Sequence, residues 1–99
     1  MRLTPHQIAT IREATTLEFG PNAHVWLFGS RTDDAKRGGD IDLLVRPDTN
    51  ASNNALERKL RFLGNLERAL GERKIDVVVE APGDDRPIVR IALGTGVPL

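Results

Sequence analysis

The chain predicts an α+β (α/β) fold, and three observations carry that prediction. Residues 24–28, 40–45 and 74–80 are short runs rich in Val, Ile, Leu and aromatic side chains, each bounded by Gly, Pro or charged residues as strands are. Residues 5–19 and 52–70 space their apolar side chains at three and four positions, as helices do. Each strand candidate carries one apolar row that a helix has to cover.

With 99 residues and no obvious linker, a single domain spanning 1–99 is expected, with a modest core. Lysine plus arginine and aspartate plus glutamate both total 14, so nothing global favours DNA, RNA or an anionic membrane. There is no cysteine, which removes disulfides, thiolate nucleophiles and cysteine-based metal sites together. No run of apolar residues is long enough to span a bilayer, and no apolar stretch follows the N-terminal arginine. A soluble, cytoplasmic protein is expected.

The first helix starts at Thr4-Pro5, an N-cap residue followed by proline at the first helical position, and stops at Gly20-Pro21. Its expected buried stripe is Ile8, Ile11, Ala14 and Leu17. His6 and His24, near its two ends, read as solvated or capping side chains. In the first strand Val25 and Leu27 face one side, Trp26 and Phe28 the other, and Gly29 ends it. In the second, Ile41, Leu43 and Val45 share one face while Asp40, Asp42 and Leu44 share the opposite one, and Arg46-Pro47 closes it.

The clearest helix runs from Ser52 to Leu70, with Leu56, Leu60, Leu63, Leu66 and Leu70 as its apolar stripe and Gly71 as its stop. That stripe reads as core packing rather than a partner-binding zipper, because a small sheet needs a helix over it. In the third strand Ile75, Val77 and Val79 oppose Asp76 and Val78. A short closing helix is expected from Pro87 to Leu93, stopped by Gly94, followed by a tail of little chemical content.

With the apolar rows turned toward the helices, Asp40, Asp42 and Asp76 gather on the open face. Each alone has a bland explanation as an acid on a wet strand face. Three together repel one another unless a cation offsets them. Magnesium suits such a set, since it takes a few carboxylates and completes its shell with water and substrate phosphates. Zinc does not, because no cysteine or paired histidine is available. The Gly29-Ser30 turn precedes these acids and offers close backbone approach, N–H groups and a hydroxyl to a phosphate. Arg31, Lys36 and Arg37 follow it; they either supply positive charge that a triphosphate requires, a reading that favours Arg31 over the other two, or form a solvated loop face.

Gly29-Ser30, a nine-residue gap, Asp40-Ile41-Asp42 and a later strand aspartate, Asp76, together resemble the minimal nucleotidyltransferases of the DNA polymerase beta superfamily. The resemblance runs from the first helix to the third strand. It implies a small mixed three-stranded sheet with helices packed mainly on one face. It implies two magnesium ions held by Asp40 and Asp42 with help from Asp76, nucleotide phosphates held by Gly29, Ser30 and Arg31, and ATP as the substrate. Asp76 then helps activate an acceptor hydroxyl that attacks the α-phosphate and expels pyrophosphate. A chain of this size is similar to MntA-type antitoxins, which silence a HEPN-domain ribonuclease toxin by transferring AMP to a tyrosine hydroxyl and can form oligomers with it.

Two features depart from the family pattern: Gly39 stands where serine often precedes the first aspartate, and Asp33 and Asp34 place acids in the phosphate loop. Two alternatives therefore stay open beside protein adenylylation. One is a catalytically weak antitoxin that acts by binding; the other is a small-molecule nucleotidyltransferase of the aminoglycoside type. Trp26, Phe28, Leu44 and Val78 add apolar surface to the acid-bearing face. Either a partner or the adenine base meets it, or a loop or the C-terminal segment covers it.

Overall fold

The computed structural model describes residues 3–29, 41–51, 53–71 and 74–99. Along the chain come α1 (Pro5–Phe19), β1 (His24–Phe28), β2 (Ile41–Arg46), a 3-10 turn (Thr49–Ala51), α2 (Ala55–Leu70), β3 (Ile75–Val79), α3 (Pro87–Thr95) and β4 (Val97–Pro98). The sheet order is β3-β2-β1-β4. β2 and β3 run parallel, and β1 is antiparallel to both β2 and β4. The α+β class and the mixed sheet are as expected, but among the described residues the strands number four rather than three. None of the described helices is long and apolar enough to cross a membrane.

α1 begins as its sequence requires. Thr4 Oγ1 accepts from the Gln7 N–H at 3.1 Å while Gln7 Oε1 accepts from the Thr4 N–H at 2.9 Å, so two of the helix's orphan donors are satisfied reciprocally. Its buried side chains are Ile11, Thr15, Glu18 and Phe19, and Leu17, expected inside, is 74% exposed. Thr15 tolerates burial because its hydroxyl donates to the Ile11 carbonyl at 2.7 Å.

α2 begins at Ala55, after Asn54 in the left-handed region, and packs Phe62 and Leu66 fully inside. Phe62 meets Phe19 edge to face, ring centroids 5.3 Å apart, which locks α2 against α1. Leu63 and Leu70 are partly buried against the same core, whereas Leu56 and Leu60 are 67% and 59% exposed. Three of the five leucines in the expected stripe therefore face the core and two lie on the surface.

The inner face of the sheet is the apolar one. Val25 and Leu27 of β1, Ile41, Leu43 and Val45 of β2, and Ile75 and Val77 of β3 form one cluster with α1 and α2. α3 takes the opposite, outer face, where Val89 and Ala92 pack on Phe28 and Leu44 with Trp26 and Val78 beside them. The C-terminal segment thus covers much of the apolar surface that the strand alternation left there. α3 runs on through Gly94 to Thr95 and turns at Gly96, where a β-carbon would collide with the Ala92 carbonyl. The chain then pairs as β4 along β1, with the Leu99 N–H donating to the Val25 carbonyl at 3.0 Å. Two residues are too few to show a strand period, which is why this strand reads as a tail in the sequence.

Candidate active site

The pairing register stacks the outer-face side chains of three strands into three rows. His24, Arg46 and Glu80 form one; Trp26, Leu44 and Val78 the next; Phe28, Asp42 and Asp76 the third. The first row closes on itself. Arg46 donates through Nε and Nη2 to the two carboxylate oxygens of Glu80, at 2.5 and 3.1 Å, and its guanidinium lies 5.2 Å from the Trp26 ring centroid. Beside this fork Arg46 is held above its ordinary pKa.

The third row holds two of the expected catalytic residues. Asp42 and Asp76 are direct partners across the parallel β2–β3 ladder, so their carboxylates leave the sheet on the same side from strands about 4.8 Å apart. Asp42 is half-buried and Asp76 exposed. Gly29, just past β1, sits at φ +78°, a backbone conformation that glycine adopts without strain. A β-carbon there would lie 2.5 Å from Asp42 Oδ2 and 3.3 Å from its Cγ. The Asp42 carboxylate therefore rests against the bare face of Gly29, and the expected link between the glycine turn and the acidic strand is direct. Asp40, Ser30 and Arg31 lie outside the described residues, as do Asp33, Asp34, Lys36, Arg37 and Gly39.

Two neighbouring carboxylates are a hard-oxygen donor set of the kind magnesium uses, completing its shell with water and phosphate. Among the described residues no group of three His, Cys, Asp or Glu side chains gathers.

The other acids of interest are held differently, and the sequence did not single them out. Asp48 is buried between the α1–β1 and β2–α2 connections. Its carboxylate accepts from the Asn50 N–H at 3.2 Å, the Asn22 N–H at 3.3 Å, the Asn22 amide at 3.2 Å and the Thr49 hydroxyl at 3.4 Å. These donors, the Asn50 N–H foremost, keep its carboxyl below the usual range against the opposing effect of burial. The run Arg46-Pro47-Asp48-Thr49-Asn50 carries the signal that could have found it, an aspartate whose side chain accepts from the N–H two residues on.

Asp84 likewise accepts from the Ala81 N–H and from the Arg86 N–H and guanidinium, which hold it far below the usual carboxylate range. Arg86 reaches on to the Val79 carbonyl at 3.0 Å and so ties the 81–86 turn to the end of β3. A cavity of about 580 Å³ along Ala9, Arg12, Glu13, Thr16 and Leu17 and another of about 430 Å³ beside Arg46, Glu80 and Asp84 include neither Asp42 nor Asp76 in their walls.

A family model for the nucleotidyltransferase domain matches residues 8–97, from within α1 to the start of β4. No curated protein matches the chain.

Proposed function

Since the chain belongs to the nucleotidyltransferase domain family, we propose that it is a magnesium-dependent adenylyltransferase. In this reading it moves AMP from ATP to a tyrosine hydroxyl of a HEPN-domain toxin and so acts as an antitoxin. The observation that carries the transfer chemistry is the pairing of Asp42 with Asp76 on parallel strands beside Gly29. Asp42 and Asp76, with Asp40 two residues ahead, would hold two magnesium ions, and Gly29, Ser30 and Arg31 would hold the triphosphate. Bound magnesium would offset phosphate charge as it builds in the transition state.

The chain's own part is position. Gly29, lacking a β-carbon, lets an oxygen of the Asp42 carboxylate lie close against its backbone. Asp76 is the more exposed acid and would be the one to meet an acceptor arriving from solvent. The acceptor oxygen bonds to the α-phosphorus, the bond from that phosphorus to the bridging oxygen of the β-phosphate breaks, and pyrophosphate leaves. The hydroxyl proton passes to Asp76. A protein acceptor is supported by α3, which lies on the same face as the acids and exposes Ile88 and Ile91, three positions apart on its free side.

Intact mass spectrometry of the HEPN protein, incubated with this chain, ATP and magnesium, tests the proposal. A gain of one or more AMP units, lost with Asp42→Asn, is the expected result. A stable, silent complex with no mass change would replace transfer by binding alone, which the acids Asp33 and Asp34 favour.

A further inference from the structure

β3 is an edge strand, and its outer edge is open among the described residues. Two bonds set the phase of its backbone: the Ile41 N–H donates to the Lys74 carbonyl and the Glu80 N–H to the Val45 carbonyl, both at 2.8 Å. In a parallel ladder, residues 74, 76, 78 and 80 therefore face β2, while Ile75, Val77 and Val79 turn their N–H and C=O groups outward. The Val79 carbonyl already accepts from Arg86, and a carbonyl has a second lone pair. An apolar edge of this kind is a template for another strand.

α2 overhangs the same edge. At 100° per residue, Phe62 and Leu66 define the side of α2 that meets the core. Arg58 and Arg61 lie on the flank toward α1, where they donate to the Glu18 carbonyl at 2.6 Å and the Glu18 carboxylate at 2.9 Å. Leu56 and Leu60 lie on the other flank, and Leu56 joins Val77, Val78 and Val79 in walling a groove of about 210 Å³. Leu56 is exposed because the sheet ends beneath it, and Leu60 is exposed one turn on, along the flank that would face the helix of a second copy.

We propose that the strand this edge takes is β3 of a second copy, paired antiparallel about a two-fold axis at Val77. Three registers pair at least two of the outward-facing strand residues, and charge selects among them. Centring on Asp76 sets Asp76 against Asp76, and centring on Val78 sets Asp76 against Glu80. Both oppose like charges directly, which is destabilising. Centring on Val77 sets Lys74 against Glu80 and Asp76 against Val78. It also uses all three outward-facing residues, Val77 with Val77 and Ile75 with Val79. The result is a continuous eight-stranded sheet with Leu56 and Leu60 of both copies closed over its inner side. Both Asp42–Asp76 pairs then lie on one outer face.

Sedimentation velocity of the full chain over a wide concentration range, with amide exchange followed by NMR, tests this. A dimer is expected, and Leu60→Lys, a change at an exposed position, should raise its dissociation constant at least ~10-fold while circular dichroism stays the same. The Val77 amide should be protected in the dimer and exchange on dilution, whereas the Val78 amide, bonded inside the β2–β3 ladder, stays protected in both. A chain that remains monomeric overturns the proposal. So does a dimer indifferent to Leu60→Lys whose Val77 amide exchanges freely, and so does protection that appears only when another protein is bound.

Discussion

β2 carries an aspartate near each end, and the two are held in opposite ways. At the far end Asp48 is buried, and N–H, amide and hydroxyl donors from Asn22, Thr49 and Asn50 surround its carboxylate. At the near end Asp42 is half-buried, with its carboxylate against a glycine and the exposed Asp76 as its cross-strand partner. A carboxylate ringed by donors joins parts of a fold. A carboxylate set beside a second one, within reach of solvent, is placed where a cation and a substrate can reach it. Residue type is the same at both ends; the geometry of the neighbours separates structure from chemistry.

The comparison breaks most visibly at Asp42. Asp42→Asn removes charge with little change in shape, so transfer should fall by more than the ~10–100-fold that loss of an outer-shell partner costs a metal site. The denaturation midpoint should move far less than the rate does, because the amide keeps the shape of the side chain. Rates of AMP incorporation by intact mass, beside a urea melt, measure both quantities. Normal transfer by this variant would mean that the acid pair is not the metal site.

Gly29→Ala tests the same end by shape rather than charge. Holding alanine at φ +78° costs ~1–2 kcal/mol. The added methyl also falls on the Asp42 carboxylate, 2.5 Å from Oδ2, and must push it aside. Transfer should therefore drop by more than the loss of folded protein explains. If activity tracks the folded fraction alone, contact between the turn and the carboxylate is incidental.

Strand alternation made much of this legible in advance. Val25, Leu27, Ile41, Leu43, Val45, Ile75 and Val77 all lie on the inner side, which left Asp42 and Asp76 to share the outer one. Helix phase was harder to read. Glu18 is buried because Arg61 and Arg58 of α2 reach its carboxylate and carbonyl, and contacts between helices distant in sequence leave no period behind. Leu17, Leu56 and Leu60 fit a helical spacing yet stay exposed, since spacing says which residues share a side and not how far the sheet extends beneath them. Asp48 escaped notice for a related reason. Its donors come partly from Asn22, across the fold, and an Asp that follows a proline in a turn looks like solvated punctuation.

The smallest and most specific effect belongs to Asp48. Its carboxyl is depressed in the folded chain, chiefly by the Asn50 N–H, while in the unfolded chain it titrates near the ordinary value of about 3.9. A depressed folded pKa means that the unfolded state takes up its proton first as pH falls. The stability Asp48 contributes is therefore complete above about pH 4 and declines as pH drops toward its folded pKa. Asp84 shifts in the same direction, so acid sensitivity of the whole protein does not isolate either group. The difference between wild type and Asp48→Asn does, because the amide keeps the shape but never ionises. Urea midpoints should show the variant weaker at neutral pH and the gap closing as pH falls below 4, with Asp84 cancelling from the comparison. A gap that is equally wide at pH 3 and pH 7 would mean that the charge of Asp48 does not hold the two connections together, and the contrast with Asp42 would then rest on shape alone.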